Sequence, residues 1–150
     1  MLQIGDKAPD FELESASGDI IKSKDLLGSS YVLYFYPKDN TPGCTKEAED
    51  FTSLINDFNN KGYKIFGVSP DSIKSHNKFI TDKDLKITLL SDPEKKTAES
   101  YFAYGEKKNY GKTYFGIIRS TFVINGEGAI EKAYYNVKAT GHAERVLGEL

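Results

Sequence analysis

Cys44 is the only cysteine in the chain, and it closes the stretch Tyr36-Pro37-Lys38-Asp39-Asn40-Thr41-Pro42-Gly43-Cys44. Thr41 reads as a helix N-cap and Pro42 as the first helical residue. A cysteine one turn or less into that helix lies among backbone N–H groups that have no partner within the helix. Those groups and the helix dipole favour negative charge, so the position favours a thiolate, the nucleophilic form of cysteine. The simpler alternative is a small buried apolar residue without chemistry. Asp92-Pro93 uses the same helix-start grammar with no cysteine nearby. Spacing alone therefore leaves Cys44 open between a reactive thiol and a packing residue.

Other side chains could act on such a thiol. Arg119, between Ile118 and Ser120, is the only arginine before Arg145. Its charge is fixed where a lysine's can titrate, and beside Cys44 it would stabilise a thiolate and hold an oxygen substrate. Taken alone, it reads more simply as a strand-end residue whose head reaches water. Glu47 follows Cys44 by three residues. A lone carboxylate there would oppose a thiolate. Its simpler reading is a first-turn acid facing water, and its sharper one a carboxylate that orients an arginine. His76 falls on an apolar helical stripe and reads as a structural histidine. His142, in the first turn of a terminal helix, reads as exposed. The Lys-rich stretch 106–112 reads as a solvated, mobile surface.

Composition narrows the field. The chain has 150 residues, the size of one domain able to bury roughly 70% of the surface of its unfolded state. Its formal charge of −2 gives no support for nucleic acid or an anionic membrane as partner. One cysteine excludes an internal disulfide, a Cys-x-x-Cys dithiol motif and a multi-thiolate zinc site. No signal peptide is legible at the N-terminus, and the longest apolar run is far too short to span a bilayer. A cytoplasmic protein with a reduced thiol is expected.

The elements that must position Cys44 follow from hydrophobic periodicity. Tyr31–Tyr36 is continuously apolar and β-forming, as in a strand covered on both faces. The helix after it carries Ala48, Phe51, Leu54, Ile55 and Phe58, and Lys61-Gly62 ends it. Cys44 lies on the same stripe and is expected to face inward. Ile65–Val68 reads as a strand parallel to the first, through a β-helix-β crossover. A helix with Ile73, His76, Phe79 and Ile80, a strand at Ile87–Leu90 and a short helix from Ser91-Asp92-Pro93 to about Phe102 come next. Residues 103–119 read as a loop or irregular edge. Ser120–Ile124 and Ala129–Tyr135 flank a hairpin turn, and Thr140 caps a last helix. Phe11–Leu13 and Ile20-Ile21 suggest an N-terminal β-hairpin. The pattern predicts an α/β domain with a central mixed sheet flanked by helices, whose site lies beyond the carboxyl ends of the strands.

Pro37-Lys38-Asp39-Asn40-Thr41-Pro42-Gly43-Cys44-Thr45-Lys46-Glu47-Ala48 resembles the active-site motif of peroxiredoxins. Tyr104–Lys108, Gly111–Phe122 and Gly5–Phe11 resemble further stretches of the bacterioferritin comigratory protein, or peroxiredoxin Q, subfamily. The likeness runs nearly end to end. It implies a thioredoxin-like fold and thiol-dependent reduction of hydrogen peroxide and organic hydroperoxides. It implies Cys44 as the peroxidatic cysteine, Thr41 as the hydroxyl that binds thiolate and peroxide, Pro37 as the residue shielding the pocket and Arg119 as the activating guanidinium. No cofactor or metal is implied.

One departure stands out. Many members of the subfamily carry a resolving cysteine five residues after the first, where this chain has Glu49. The expected partners are thus a hydroperoxide and an external thiol: thioredoxin, glutaredoxin or glutathione. A monomer or weak homodimer is expected. The alternative reading is a peroxide-sensing module that oxidises once and relays the signal to a protein partner.

Overall fold

The computed structural model of the chain describes residues 1–150. A seven-stranded sheet runs β2-β1-β5-β4-β3-β8-β9. Its strands are β1 (Glu12–Ser15), β2 (Ile20–Lys22), β3 (Ser30–Phe35), β4 (Tyr63–Ser69), β5 (Thr88–Ser91), β8 (Ser120–Ile124) and β9 (Ile130–Tyr134). β3, β4 and β5 are parallel, and all other neighbours in the sheet pair antiparallel. The predicted mixed sheet and N-terminal hairpin are therefore present.

Two apolar layers cover the sheet, and β3 feeds both because successive side chains of a strand point to opposite faces. Tyr31, Leu33 and Phe35 enter one layer, which includes Tyr101, Phe122 and Ile130. Val32 and Tyr34, followed by Tyr36, enter the other, which includes Cys44, Phe51, Phe79 and Val146. Each such side chain contributes about 1.5–3 kcal/mol by leaving water. That is why the strand reads as an unbroken apolar run.

The second layer holds α1 (Pro42–Ser53), α2 (Ile55–Asn60), α3 (Ile73–Lys83) and α5 (His142–Gly148), while α4 (Lys96–Ser100) packs on the first. Tyr34 sets the place of α1 by stacking on Phe51, with centroids 4.7 Å apart. Gly67 makes room for that ring on the neighbouring strand: a Cβ there would lie 2.8 Å from Tyr34 Cζ.

Three expectations change. The long helix after β3 breaks at Leu54, whose φ and ψ of −100° and 6° leave the helical range. Ser53 Oγ donates to the Asp50 carbonyl (2.9 Å), a local bond that competes with helix continuation. The apolar stripe continues across the break, so periodicity alone reads one helix. The last helix is capped by Gly141 rather than Thr140, because Gly141 takes φ +74°. Residues 103–119 are ordered as a separate two-stranded hairpin, β6 (Tyr104–Asn109) and β7 (Lys112–Ile117), with Tyr110 and Gly111 at positive φ in its turn.

Candidate active site

Topology brings the site together. A parallel crossover places the start of α1 at the carboxyl end of β3. β8 runs antiparallel to β3 with Ser120 opposite Phe35, so Arg119 arrives at that same end. Cys44 is 2% exposed. Arg119 donates from Nη2 to Cys44 Sγ at 3.3 Å and from Nη1 to Glu47 Oε1 at 2.6 Å. The guanidinium lies alongside Gly43, where a Cβ would make an ordinary contact of 3.4 Å with Arg119 Nη2.

The electrostatics around Cys44 are uneven. Arg119 is held in its charged form: burial opposes the charge, but Glu47 and Cys44 outweigh it. The N–H groups of Gly43 and Cys44 have no backbone acceptor, as expected at a helix start. A guanidinium and free N–H groups thus meet around one sulfur, an arrangement that attracts negative charge. Glu47 is fully buried, which corrects the expectation that it faces water. Burial pushes its carboxyl up to about 7, against the pull of Arg119. Glu47 Oε2 has no hydrogen-bond partner, and neither does Tyr34 Oη beside it in the same layer.

The other expected residues are near but not joined to the sulfur. Thr41 takes the extended N-cap conformation, yet its side chain makes no cap bond. Its hydroxyl donates instead to the Lys38 carbonyl at 2.8 Å. Pro37 lies two residues beyond the end of β3 and is half-buried, and no polar contact ties it to Cys44.

The histidines behave differently from one another. His76 is satisfied as expected, with Nδ1 on Asp39 Oδ2 (2.7 Å) and Nε2 on the Leu90 carbonyl (2.9 Å). His142 is buried rather than exposed, at 3%. Its Nε2 meets Thr121 Oγ1 at 2.7 Å, and it packs against Phe51 and Tyr134. Its burial follows from Gly141 starting the helix, which turns residue 142 inward. Burial and the charges of Arg145 and Arg119 push its pKa down to about 4, so it is neutral near pH 7.

Two residues not singled out from the sequence belong to the surroundings. Lys107 is half-buried rather than solvated: its Nζ donates to the Ile117 carbonyl at 2.7 Å. Burial and then Arg119 lower its pKa, while Cys44 pulls the other way, so it lies within electrostatic reach of the site. A lysine run carries no signal for which member turns inward. Asp39 is buried within the active-site stretch and accepts from Tyr36, Ser75 and His76. Its signal was the pairing of a motif acid with a histidine on an apolar stripe. Asp39, Asp71 and His76 bring ligand-type atoms within 4.8 Å of one another, but their nearest polar atoms are already committed to hydrogen bonds.

The chain as a whole has counterparts among known proteins. Residues 4–133 match the model of the AhpC/TSA family. The bcp protein of Helicobacter pylori is 54% identical over 149 residues, covering 99% of this chain and 98% of that one. Peroxiredoxin Bcp of Bacillus subtilis is 46% identical, over 99% of this chain and 95% of its own. The solved structure of the Xanthomonas campestris bacterioferritin comigratory protein, studied for its alkyl peroxide reduction, is similar with a TM-score of 0.89 and 38% identity, over 99% and 95% of the two chains. The thioredoxin-like fold expected from the sequence is thus the fold found. With a likeness that spans the whole length in both sequence and fold, the chain belongs to the AhpC/TSA family, in its Bcp or peroxiredoxin Q group, and is a thiol-dependent peroxidase.

Proposed function

We propose that Cys44 is the nucleophile that reduces hydrogen peroxide and organic hydroperoxides, and that an external thiol resolves the oxidised cysteine. The observation that carries this reading is the 3.3 Å contact between Arg119 Nη2 and Cys44 Sγ, in a chain with one cysteine. The thiolate attacks one peroxide oxygen and the O–O bond breaks. Sulfur gains the transferred oxygen as a sulfenic acid, and the other oxygen leaves as hydroxide or alkoxide and takes a proton from water.

Each residue has a task in that step. Arg119 and the N–H groups of Gly43 and Cys44 stabilise the thiolate and then the charge developing on the leaving oxygen. The donor of Thr41 is engaged with Lys38, so its lone pairs remain to accept a hydrogen bond from the peroxide O–H and align it with sulfur. Pro37, half-buried at the mouth of the stretch, shields the pocket from water. Glu47 fixes the plane of the Arg119 guanidinium, so that Nη2 rather than another nitrogen faces sulfur.

The second half needs an outside reductant, because no other cysteine exists in the chain. A thiol condenses with the sulfenic acid to give a mixed disulfide and water. A second thiol then releases Cys44 and leaves as half of a new disulfide. Thioredoxin, glutaredoxin or glutathione fits this role. A reducing, cytoplasmic setting supplies it, with residues 1–150 acting as one domain, as a monomer or weak homodimer.

Replacing Cys44 by Ser should abolish peroxide consumption measured with excess dithiothreitol. Retained turnover in that variant would end this reading. If the native protein consumes only one equivalent of peroxide per chain under excess thiol, it is a sensor rather than a turnover enzyme.

A further inference from the structure

The segment between β3 and α1 is held in an unusual way. The N–H groups of Lys38, Asn40 and Thr41 make no well-aligned hydrogen bond to a backbone carbonyl. Asn40 takes φ +60°, a conformation that needs outside support to persist. Apart from the local bond from Thr41 Oγ1 to the Lys38 carbonyl, that support comes through one residue. Asp39 Oδ1 accepts from Tyr36 Oη at 2.6 Å, and Oδ2 accepts from Ser75 Oγ at 2.8 Å and from His76 Nδ1 at 2.7 Å. Its N–H donates to Asp71 Oδ2 at 2.8 Å, and that oxygen is itself fixed by Ser69 Oγ at 2.7 Å.

His76 in turn donates from Nε2 to the Leu90 carbonyl of β5. Both of its ring nitrogens face acceptors, and the contact to the Asp39 carboxylate is charge-assisted. Burial works against the Asp39 carboxylate, but the bonds from His76, Tyr36 and Ser75 outweigh it and hold its pKa below the usual range. One side chain thus ties the segment carrying Pro37 and Thr41 to β4, β5 and α3.

This matters because the two reactants of Cys44 differ in size. A peroxide can reach a sulfur that is 2% exposed. A thiol attacking along the S–O axis brings a carbon chain or a whole protein with it. For that step the segment in front of α1 must yield.

We propose that Asp39, clamped by His76, is a positioning residue that sets the division of rate between the two halves of the cycle. Clamped, it holds Thr41 and the start of α1 in the arrangement that aligns peroxide. Released, it lets the segment open and exposes the oxidised Cys44 to the external thiol. This inference rests on the external-thiol reading above, and what it adds is the residue that holds the segment closed.

The test separates the two half-reactions in the full-length protein. Quenched-flow mass analysis follows oxidation of Cys44 by hydrogen peroxide, and separately the reduction of the oxidised protein by dithiothreitol. In Asp39→Asn, oxidation should slow about tenfold or more, because the carboxylate's charge-assisted bond to His76 is lost. Reduction should be as fast as in the native protein or faster. Amide hydrogen exchange should rise at residues 38–45 and stay unchanged in β3 and β8. A generally destabilised protein would instead raise exchange in β3 and β8 as well.

Ser75→Ala and Tyr36→Phe each remove one bond to Asp39 and keep the fold testable if Asp39→Asn does not fold. They should shift the ratio of the two rates in the same sense, by about two- to fivefold. A ratio within twofold of native in every folded variant overturns the proposal. If instead the oxidised native protein is not reduced by dithiothreitol at all, the external-thiol reading itself fails.

Discussion

Two buried polar networks flank the end of β3, and they are built to opposite rules. Around Asp39 and His76 the polar atoms are satisfied: both carboxylate oxygens accept, both ring nitrogens are bonded, and the shells behind them are bonded too. Around Cys44 the accounting is left open. Glu47 Oε2 has no partner, the N–H groups of Gly43 and Cys44 have no backbone acceptor, and the Glu47 carboxyl is pushed up to about 7. Unsatisfied buried groups cost stability. On the function proposed above, a substrate oxygen at the sulfur completes part of that network. The satisfied network beside it is a framework that holds the open one in shape.

Each side of that contrast can be broken separately. The largest effect is expected from His76→Ala. Removing one partner of a buried pair leaves the Asp39 charge uncompensated and should cost about 3–5 kcal/mol in urea unfolding. A loss below about 1 kcal/mol would mean that this network does not hold the fold. Arg119→Ala should behave in reverse. It should slow Cys44 oxidation by about 10²–10³-fold, the usual effect of removing a donor aimed at developing charge. The loss of stability should be smaller than for His76→Ala, because Glu47, whose carboxyl already titrates near 7, can take up a proton when its partner is gone, and a near-native oxidation rate would take Arg119 out of the chemistry.

Glu47→Gln sharpens the comparison through pH. The Glu47 carboxyl titrates near 7 in the fold against about 4.5 in the unfolded chain. The folded state then binds the extra proton between those values, so this group's contribution to stability falls as pH rises from about 4.5 to 7 and is flat above. Gln has no such dependence. The difference in unfolding free energy should move in favour of Gln by up to about 3 kcal/mol across that window. A constant difference would show that Glu47 ionises without penalty.

The smallest effect concerns His142. Its pKa lies near 4 in the fold and near 6.5 unfolded, so the unfolded state binds the extra proton between them. The pKa change is as large as that of Glu47, but His142 is less deeply buried, so the expected fall in stability as pH drops from about 6.5 toward 4 is on the order of 2 kcal/mol. His142→Gln should flatten that decline in acid unfolding curves. An unchanged slope would remove His142 from the acid response.

Much of the site was legible in one dimension because its signals are local. A capped helix start after an apolar strand requires only neighbouring residues, and Pro42, Cys44 and Phe51 report it through spacing. The inward stripe of α1 and the satisfied His76 follow from helical period. What failed to be legible depended on partners far along the chain. Glu47 has the same sequence whether it faces water or Arg119, which is 72 residues away. His142 reads as exposed until the positive φ of Gly141 sets the helix one residue later. The break at Leu54 hides because both helices bury one continuous stripe.

The sequence by itself determined that one thiol stands at a helix start with no second cysteine to resolve it. It determined the mixed sheet that carries that helix, and through its motifs the family. Only the tertiary structure decided which charges meet the sulfur. An antiparallel β8 brings Arg119 to the end of β3, and the folded core strips water from Glu47 and from the Asp39–His76 pair. Those outcomes depend on desolvation and on contacts between distant segments, and neither quantity exists until the chain has closed around them.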